Sequence, residues 1–313
     1  MKQKREYLGL ALKGALMGAA NVIPGVSGGT VAFVTGIYQE LIQSIKNCDW
    51  QAIQLLFKGD LKGLANRIQL DFLAAVFGGV FLSVLSLAKI LEYLFVEHET
   101  LTLSFFFGLI LMSIFSVGKK VGKWSPATIG CLVMGACMAA GIAFLKPADE
   151  NDGALFIFFC GIVAISSMIL PGLSGSYVLL VMGNYLLILK AVSDLEFRIL
   201  VPLAAGCGIG LIAFSHALVY VLKKWYHLTV SLLTGFVIGS LMIIWPWKVP
   251  LYLKDESGQL ILKRGTEKVV MGYHWEWPSP TSETAIALLL LTLGSGLVWW
   301  IGRFDSVKES SKP

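Results

Sequence analysis

Two stretches of this chain set polar, chemistry-bearing residues inside an apolar background. The first is Asn21-Val-Ile-Pro-Gly-Val-Ser-Gly-Gly-Thr30, and the second is Pro171-Gly-Leu-Ser-Gly-Ser-Tyr177. Proline has no N–H and disfavours helix in the residue before it, so each stretch should break a helix. Beyond each Pro-Gly the helix restarts. Ser27 is placed to cap the amides of Gly29 or Thr30, and Ser174 those of Ser176 or Tyr177. Two helix N-termini then present free N–H groups and a positive dipole end, which suits an anion. Gly25, Gly28, Gly29, Gly172 and Gly175 leave the backbone open to close approach. Asn21, Ser27, Thr30, Ser174 and Ser176 add side-chain hydrogen bonds. Phosphate, with its several acceptor oxygens, fits such a site. The competing reading is that glycine and serine only let helices pack closely. Duplication of the whole Pro-Gly-x-Ser-Gly unit favours the site.

The elements that must hold these breaks follow from composition. Of 313 residues, 56% are apolar and only 14% charged, and mean hydropathy is +0.74. A soluble domain is about a quarter charged. This composition excludes a soluble enzyme, a nucleic-acid-binding domain and a disordered chain, and points to an all-α polytopic membrane protein. The net charge of +5 reads as lysine and arginine marking loop ends, not as a nucleic-acid surface. Five cysteines form no CxxC pair; no metal cluster is visible and no cofactor is expected. The basic start followed by 8–20 resembles a signal peptide, but Pro24 and the glycine cluster interrupt it.

A helix needs about 20 residues to cross about 30 Å of hydrocarbon. Six segments qualify: 69–95, 101–118, 126–145, 199–222, 228–247 and 283–303. The stretches 9–45 and 154–190 are broken at the two motifs. As one helix each would run about 55 Å, too long for one span and too short for two plus a turn. A re-entrant hairpin fits, and its irregular backbone must face protein or a cavity rather than lipid. With both stretches re-entrant, loops on the side of the termini hold 15 Lys/Arg and the other loops 8; with both spanning, the counts are 9 and 14. The hairpins are favoured, with both termini cytoplasmic. Residues 248–282 form an outer loop in which 251–254 and 259–262 suggest a short β-hairpin.

The breaks are copies of one another. With Pro24 on Pro171, the matches are Pro, Gly, Ser, Gly, Val31/Val178, Val34/Val181, Gly36/Gly183 and Tyr38/Tyr185. Downstream, Leu73-Ala-Ala aligns with Leu203-Ala-Ala, and Gly108 and Ser113 with Gly235 and Ser240. Repeats at 1–147 and 148–313 follow, each a hairpin plus three spans. Three is odd, so the halves should be inverted, as in secondary transporters with midplane sites. Glycine-rich spans also permit a homodimer.

Ionisable groups near apolar segments are functional candidates by default. Lys13 either snorkels or reaches the phosphate. Arg67 and Arg198 are either topology anchors or phosphate ligands. Glu40 and Asp71 are candidates for a coupling proton. His216 is a further coupling candidate, although such a histidine more often packs as a hydrogen-bonded core residue.

The first motif, with Gly36-Ile-Tyr38 and Glu40, resembles the DUF368 family, as does Ile169-Leu-Pro-Gly-Leu-Ser-Gly-Ser176 with Gly183-x-Tyr185. The resemblance covers nearly the whole chain. It implies a polyprenyl-phosphate transporter that returns undecaprenyl phosphate from the outer to the inner leaflet of the bacterial cytoplasmic membrane for cell-wall synthesis. The family often carries Asp where this chain has Asn21, which leaves the coupling in doubt. Inward movement of an anion against a negative interior is uphill by about 2.3 kcal/mol per charge per 100 mV, so a co-transported proton or sodium ion is expected. Two other readings stay open. Undecaprenyl pyrophosphate phosphatases use a similar motif, but with Arg where this chain has Gly28 and Gly175. A small inorganic anion carrier or channel would also use midplane helix N-termini.

Overall fold

The structure is a computed structural model that describes residues 2–22, 27–142, 144–145, 147–252, 262–263, 267–268 and 270–309. It is mostly helical. The first stretch forms α1 (Lys2–Val22), α2 (Gly28–Val34) and α3 (Tyr38–Lys46). Two short helices, α4 (Trp50–Phe57) and α5 (Leu61–Ile68), lead to α6 (Leu70–Glu97), α7 (Glu99–Gly118) and α8 (Pro126–Ile142). The order then recurs without the short pair: α9 (Ala154–Ile169), α10 (Gly175–Val181), α11 (Tyr185–Asp194), α12 (Phe197–Lys224) and α13 (Tyr226–Ser240). Strands β1 (Lys248–Tyr252), β2 (Leu262–Lys263), β3 (Glu267–Lys268) and β4 (Val270–Trp275) precede α14 (Ser282–Glu309).

Helix pairing follows the same order in both halves. α1 packs on α6 and α9 on α12, whereas α7 packs on α14 and α8 on α13, across the halves. Small residues explain the tightness. A Cβ on Gly14 would meet the Val76 carbonyl at 2.0 Å, and one on Gly206 the Phe158 carbonyl at 2.0 Å. Gly108 abuts Leu291 and Gly235 abuts Leu132 in the same manner. Lipid tails are as apolar as leucine, so contact between helix backbones, not burial from water, holds such pairs together. Ser295 Oγ donates to the Gly108 carbonyl (3.0 Å) and Ser231 Oγ to that of Thr128 (2.6 Å), adding a polar tie at each crossing.

The outer face of the bundle is apolar. Phe77, Phe81 and Leu85 on α6, Phe197 and Ile209 on α12, and Leu289 and Leu293 on α14 are all exposed. A soluble monomer rarely presents patches of this extent. Among the described residues three helices are long and apolar enough to cross a membrane, 99–121, α12 and the α14 segment 282–299; the number is five if two bent pairs each count as one span. This surface suits a multi-pass membrane protein.

The structure adds detail to the expected segments. Beyond each break the chain forms two short helices, α2 with α3 and α10 with α11. α10 and α11 bend by 119° at Gly183, whose φ is +77°, as is that of its counterpart Gly36. Only glycine adopts that region without strain. The segments 126–145 and 228–247 hold shorter helices, of 17 and 15 residues, that stop ahead of Pro147 and Pro246. In the loop 248–282, β1 pairs with β4 in antiparallel register, Lys248 opposite Trp275; the expected partner stretch 259–262 lies mostly outside the described residues. The Trp275 indole pins β4 by donating to the Met242 carbonyl at 2.7 Å. Residues 253–261 lie outside the described residues.

Candidate functional site

The cap that follows each break has the same geometry. The N-cap residues Ser27 (φ −109°, ψ 133°) and Ser174 (φ −107°, ψ 125°) each open a seven-residue helix. These helices are too short to stand alone, and neighbours hold them. Pro24 and Gly25 lie outside the described residues.

The breaks also touch one another. The buried Thr30 hydroxyl, at the start of α2, accepts from the Gly172 amide at 2.7 Å. The Tyr38 hydroxyl, fully inside the protein, donates to the Ile169 carbonyl at the end of α9 at 3.0 Å. A Cβ on Gly29 would stand 3.0 Å from the carbonyls of Met168 and Ile169. Gly172 has φ +85°, and a Cβ there would lie 2.4 Å from the Phe236 carbonyl of α13. The second break is therefore wedged between α2 and α13. A buried N–H without an acceptor is strongly disfavoured, so the Thr30 bond fixes the register between the two motifs.

Around this junction the two copies differ. At the first break, Asn21 Oδ1 accepts from the Gly28 amide (2.8 Å), and Ser27 Oγ accepts from the Gly29 amide (3.2 Å). The Thr30 amide bonds the Ser27 carbonyl at 2.9 Å. The leading amides of α2 are thus occupied by the chain itself. At the second break, Ser174 makes no side-chain cap, contrary to the expectation that it caps Ser176 or Tyr177. Its hydroxyl instead bonds the Ser176 hydroxyl at 2.9 Å, with Ser176 exposed and Gly175 buried. One hydroxyl donates within the pair, so the pair as held offers one free O–H to an acceptor, and a second once the mutual bond opens. Tyr177, next along, is half-buried.

The charged candidates lie elsewhere. Lys13 Nζ donates to the Thr35 carbonyl at 2.7 Å, so it serves the C-terminal end of α2, where the dipole favours a cation, and not the N-terminal end. Arg67 Nε bonds Asp49 Oδ1 at 3.1 Å. Asp49 also caps α4 by accepting from Gln51 and Ala52, and its guanidinium partner is the main reason its carboxyl sits below the usual carboxylate range. Arg198 pairs with Asp152 at 3.4 Å, both largely exposed. Asp71 is exposed beside the Tyr7 hydroxyl (3.5 Å). His216 Nδ1 lies 2.9 Å from the Ile212 carbonyl of its own helix. Glu40 is exposed in the first turn of α3, two residues from Tyr38.

Two residues of consequence escaped the sequence reading. Tyr38 was visible as a repeated tyrosine, but its partner was not. Asn184 is fully buried and bonds both the Asn151 amide (3.0 Å) and its carbonyl (2.7 Å). The signal was an Asn in the second copy where the first has Ile37.

The undecaprenyl phosphate translocase-like family matches residues 17–261. A polyprenyl-phosphate transporter of Vibrio cholerae is 39% identical over 290 residues, 92% of each chain. One of Staphylococcus aureus is 32% identical over 254 residues, 75% of this chain and 85% of the relative. No solved structure matches the chain. With the family matching most of its length and both breaks in place, the chain belongs to the undecaprenyl phosphate translocase-like family.

Proposed function

We propose that this protein carries polyprenyl phosphate, in the form of undecaprenyl phosphate, from the outer to the inner leaflet of a bacterial cytoplasmic membrane. Both termini are cytoplasmic in this reading, and the halves are inverted repeats that rock against one another. The phosphate head is held where the two Pro-Gly-x-Ser-Gly breaks meet, by Ser174, Ser176 and the backbone of Gly175. The observation that carries the reading is the Thr30–Gly172 hydrogen bond, which joins the two motifs into one centre. The relatives' names supply the substrate class.

The physics is consistent. A lipid phosphate has a head that seeks hydrogen-bond donors and a chain that stays in hydrocarbon. At the first break Asn21 and Ser27 already hold the α2 amides. An anion bound there must displace them, so those residues act as internal stand-ins for the phosphate. Glu40, two residues from Tyr38, is the group we assign to cation coupling. A carrier is favoured over a phosphatase because Gly28 and Gly175 stand where an arginine would clamp pyrophosphate.

The test is thermal stabilisation of the detergent-solubilised protein by undecaprenyl phosphate, undecaprenol and inorganic phosphate. Stabilisation by the lipid phosphate alone is expected. Equal stabilisation by inorganic phosphate would assign the site to small anions instead.

A further inference from the structure

A cavity of about 260 Å³ lies beside the second break. Its walls are the end of α8, one face of α9 with Val163, Ser166 and Ser167, and α10. Leu170 and Leu173, which flank Pro171-Gly172, also line it. The two serines do not make it polar. Ser166 Oγ donates to the Ile162 carbonyl and Ser167 Oγ to that of Ala164, each at 2.7 Å. Both hydroxyl protons are spent within α9. A buried water needs two to four polar partners, and this lining offers almost none, so its natural occupant is hydrocarbon.

The cavity is open on one side. Val163 is 42% exposed on the apolar outer surface of α9, the surface that meets lipid when the bundle sits in a membrane. At its other side the lining reaches the residues around Gly172, within the same turn that carries Ser174. It therefore forms a continuous apolar path from the lipid-facing surface to the second break. Its size is meaningful: a dry cavity of about 150 Å³ takes a six-carbon ring, so about 260 Å³ takes more than one five-carbon unit.

We propose that this cavity holds the first isoprene units of the polyprenyl chain, those next to the phosphate, while the head sits at Ser174 and Ser176. The inference rests on the transport reading and deepens it. It gives the second break both a head site and a tail site, and it explains how a long chain leaves the phosphate without crossing a polar surface. Lipid tails are as apolar as the cavity, so the gain comes from close packing of the branched chain and not from leaving water. Discrimination from straight acyl chains should accordingly be several-fold rather than absolute.

The experiment is photo-labelling of the whole protein in detergent with a farnesyl phosphate analogue bearing a diazirine on its first isoprene unit, mapped by peptide mass spectrometry. Competitors are undecaprenyl phosphate and dioleoyl phosphatidic acid. Adducts within 163–182, suppressed by undecaprenyl phosphate more than by phosphatidic acid, are expected. Val163→Phe, a substitution at the exposed rim, should lower that labelling roughly fivefold, about 1 kcal/mol, with the melting temperature unchanged. Adducts competed by undecaprenyl phosphate but mapping to other helices would overturn the cavity assignment and leave the transport reading intact. Equal competition by phosphatidic acid would make the cavity a general acyl site and also overturn it. If undecaprenyl phosphate suppresses no labelling anywhere, the transport reading itself falls.

Discussion

The first and second breaks are copies in sequence and lead into the same cap and glycine turn, yet one is closed and the other open. Both start a seven-residue helix from a serine, and both turn at a glycine with φ +77°. At the first, Asn21 and Ser27 fill the leading amides. At the second, the serine cap is missing, two hydroxyls stand together, and an apolar cavity lies alongside. In the proposed reading these are two states of one site. The closed copy has protein groups on the amides that a phosphate would take, and the open copy has the donors and the tail path proposed for a lipid phosphate.

Substitutions can break this comparison in graded fashion. The largest effect belongs to Gly172→Ala. It places a Cβ at φ +85° and 2.4 Å from the Phe236 carbonyl, and it should remove roughly 3 kcal/mol of stability or prevent folding. Expression and the melting temperature in detergent report it. Next is Thr30→Val, which keeps the shape but strips the Gly172 amide of its acceptor. A loss of roughly 2 kcal/mol is expected by denaturant or thermal unfolding; an unchanged stability would mean that the two breaks are not tied by this bond. Asn184→Ile copies the first repeat's residue into the second. It removes the bonds to the Asn151 amide and carbonyl, and a loss of about 1.5 kcal/mol is expected by the same measurement.

A pH effect away from both breaks serves as a control. The Lys248 ammonium, at the start of β1, is withdrawn from water, which pushes its pKa down to about 8 despite the opposing pull of Glu99. The folded state therefore disfavours the charged form. Between about pH 8 and the ordinary lysine value of 10.5 the unfolded chain binds more protons, so stability rises with pH across that window. Melting temperature should climb by a few degrees there, and the climb should vanish in Lys248→Met.

Much of this was legible in the sequence, because repeated punctuation is a strong local signal. The Pro-Gly-x-Ser-Gly units marked both breaks, and the Gly108/Gly235 match marked two close helix crossings. Long apolar runs marked α7, α12 and α14. What the sequence could not carry is choice among partners. Lys13 had two destinations by reach, and a helix C-terminus took it. Ser174 had an amide and a hydroxyl within reach, and the hydroxyl took it. Arg67 and Arg198 each found a carboxylate outside the breaks, Asp49 and Asp152. The Thr30–Gly172 and Tyr38–Ile169 bonds join residues more than a hundred positions apart. No local pattern encodes such a pairing.

The central claim is that the two breaks form one phosphate site whose receptive half is the second. Its most direct test is leaflet exchange of undecaprenyl phosphate in proteoliposomes, read as the fraction of lipid phosphate open to an added, membrane-impermeant phosphatase. Wild-type protein, Ser27→Ala, and the double variant Ser174→Ala with Ser176→Ala would be compared at equal reconstitution and matched melting temperature. The account predicts that the double variant loses about tenfold in rate, the equivalent of about 1.4 kcal/mol, and that Ser27→Ala loses less. A double variant that exchanges lipid at the wild-type rate would contradict it.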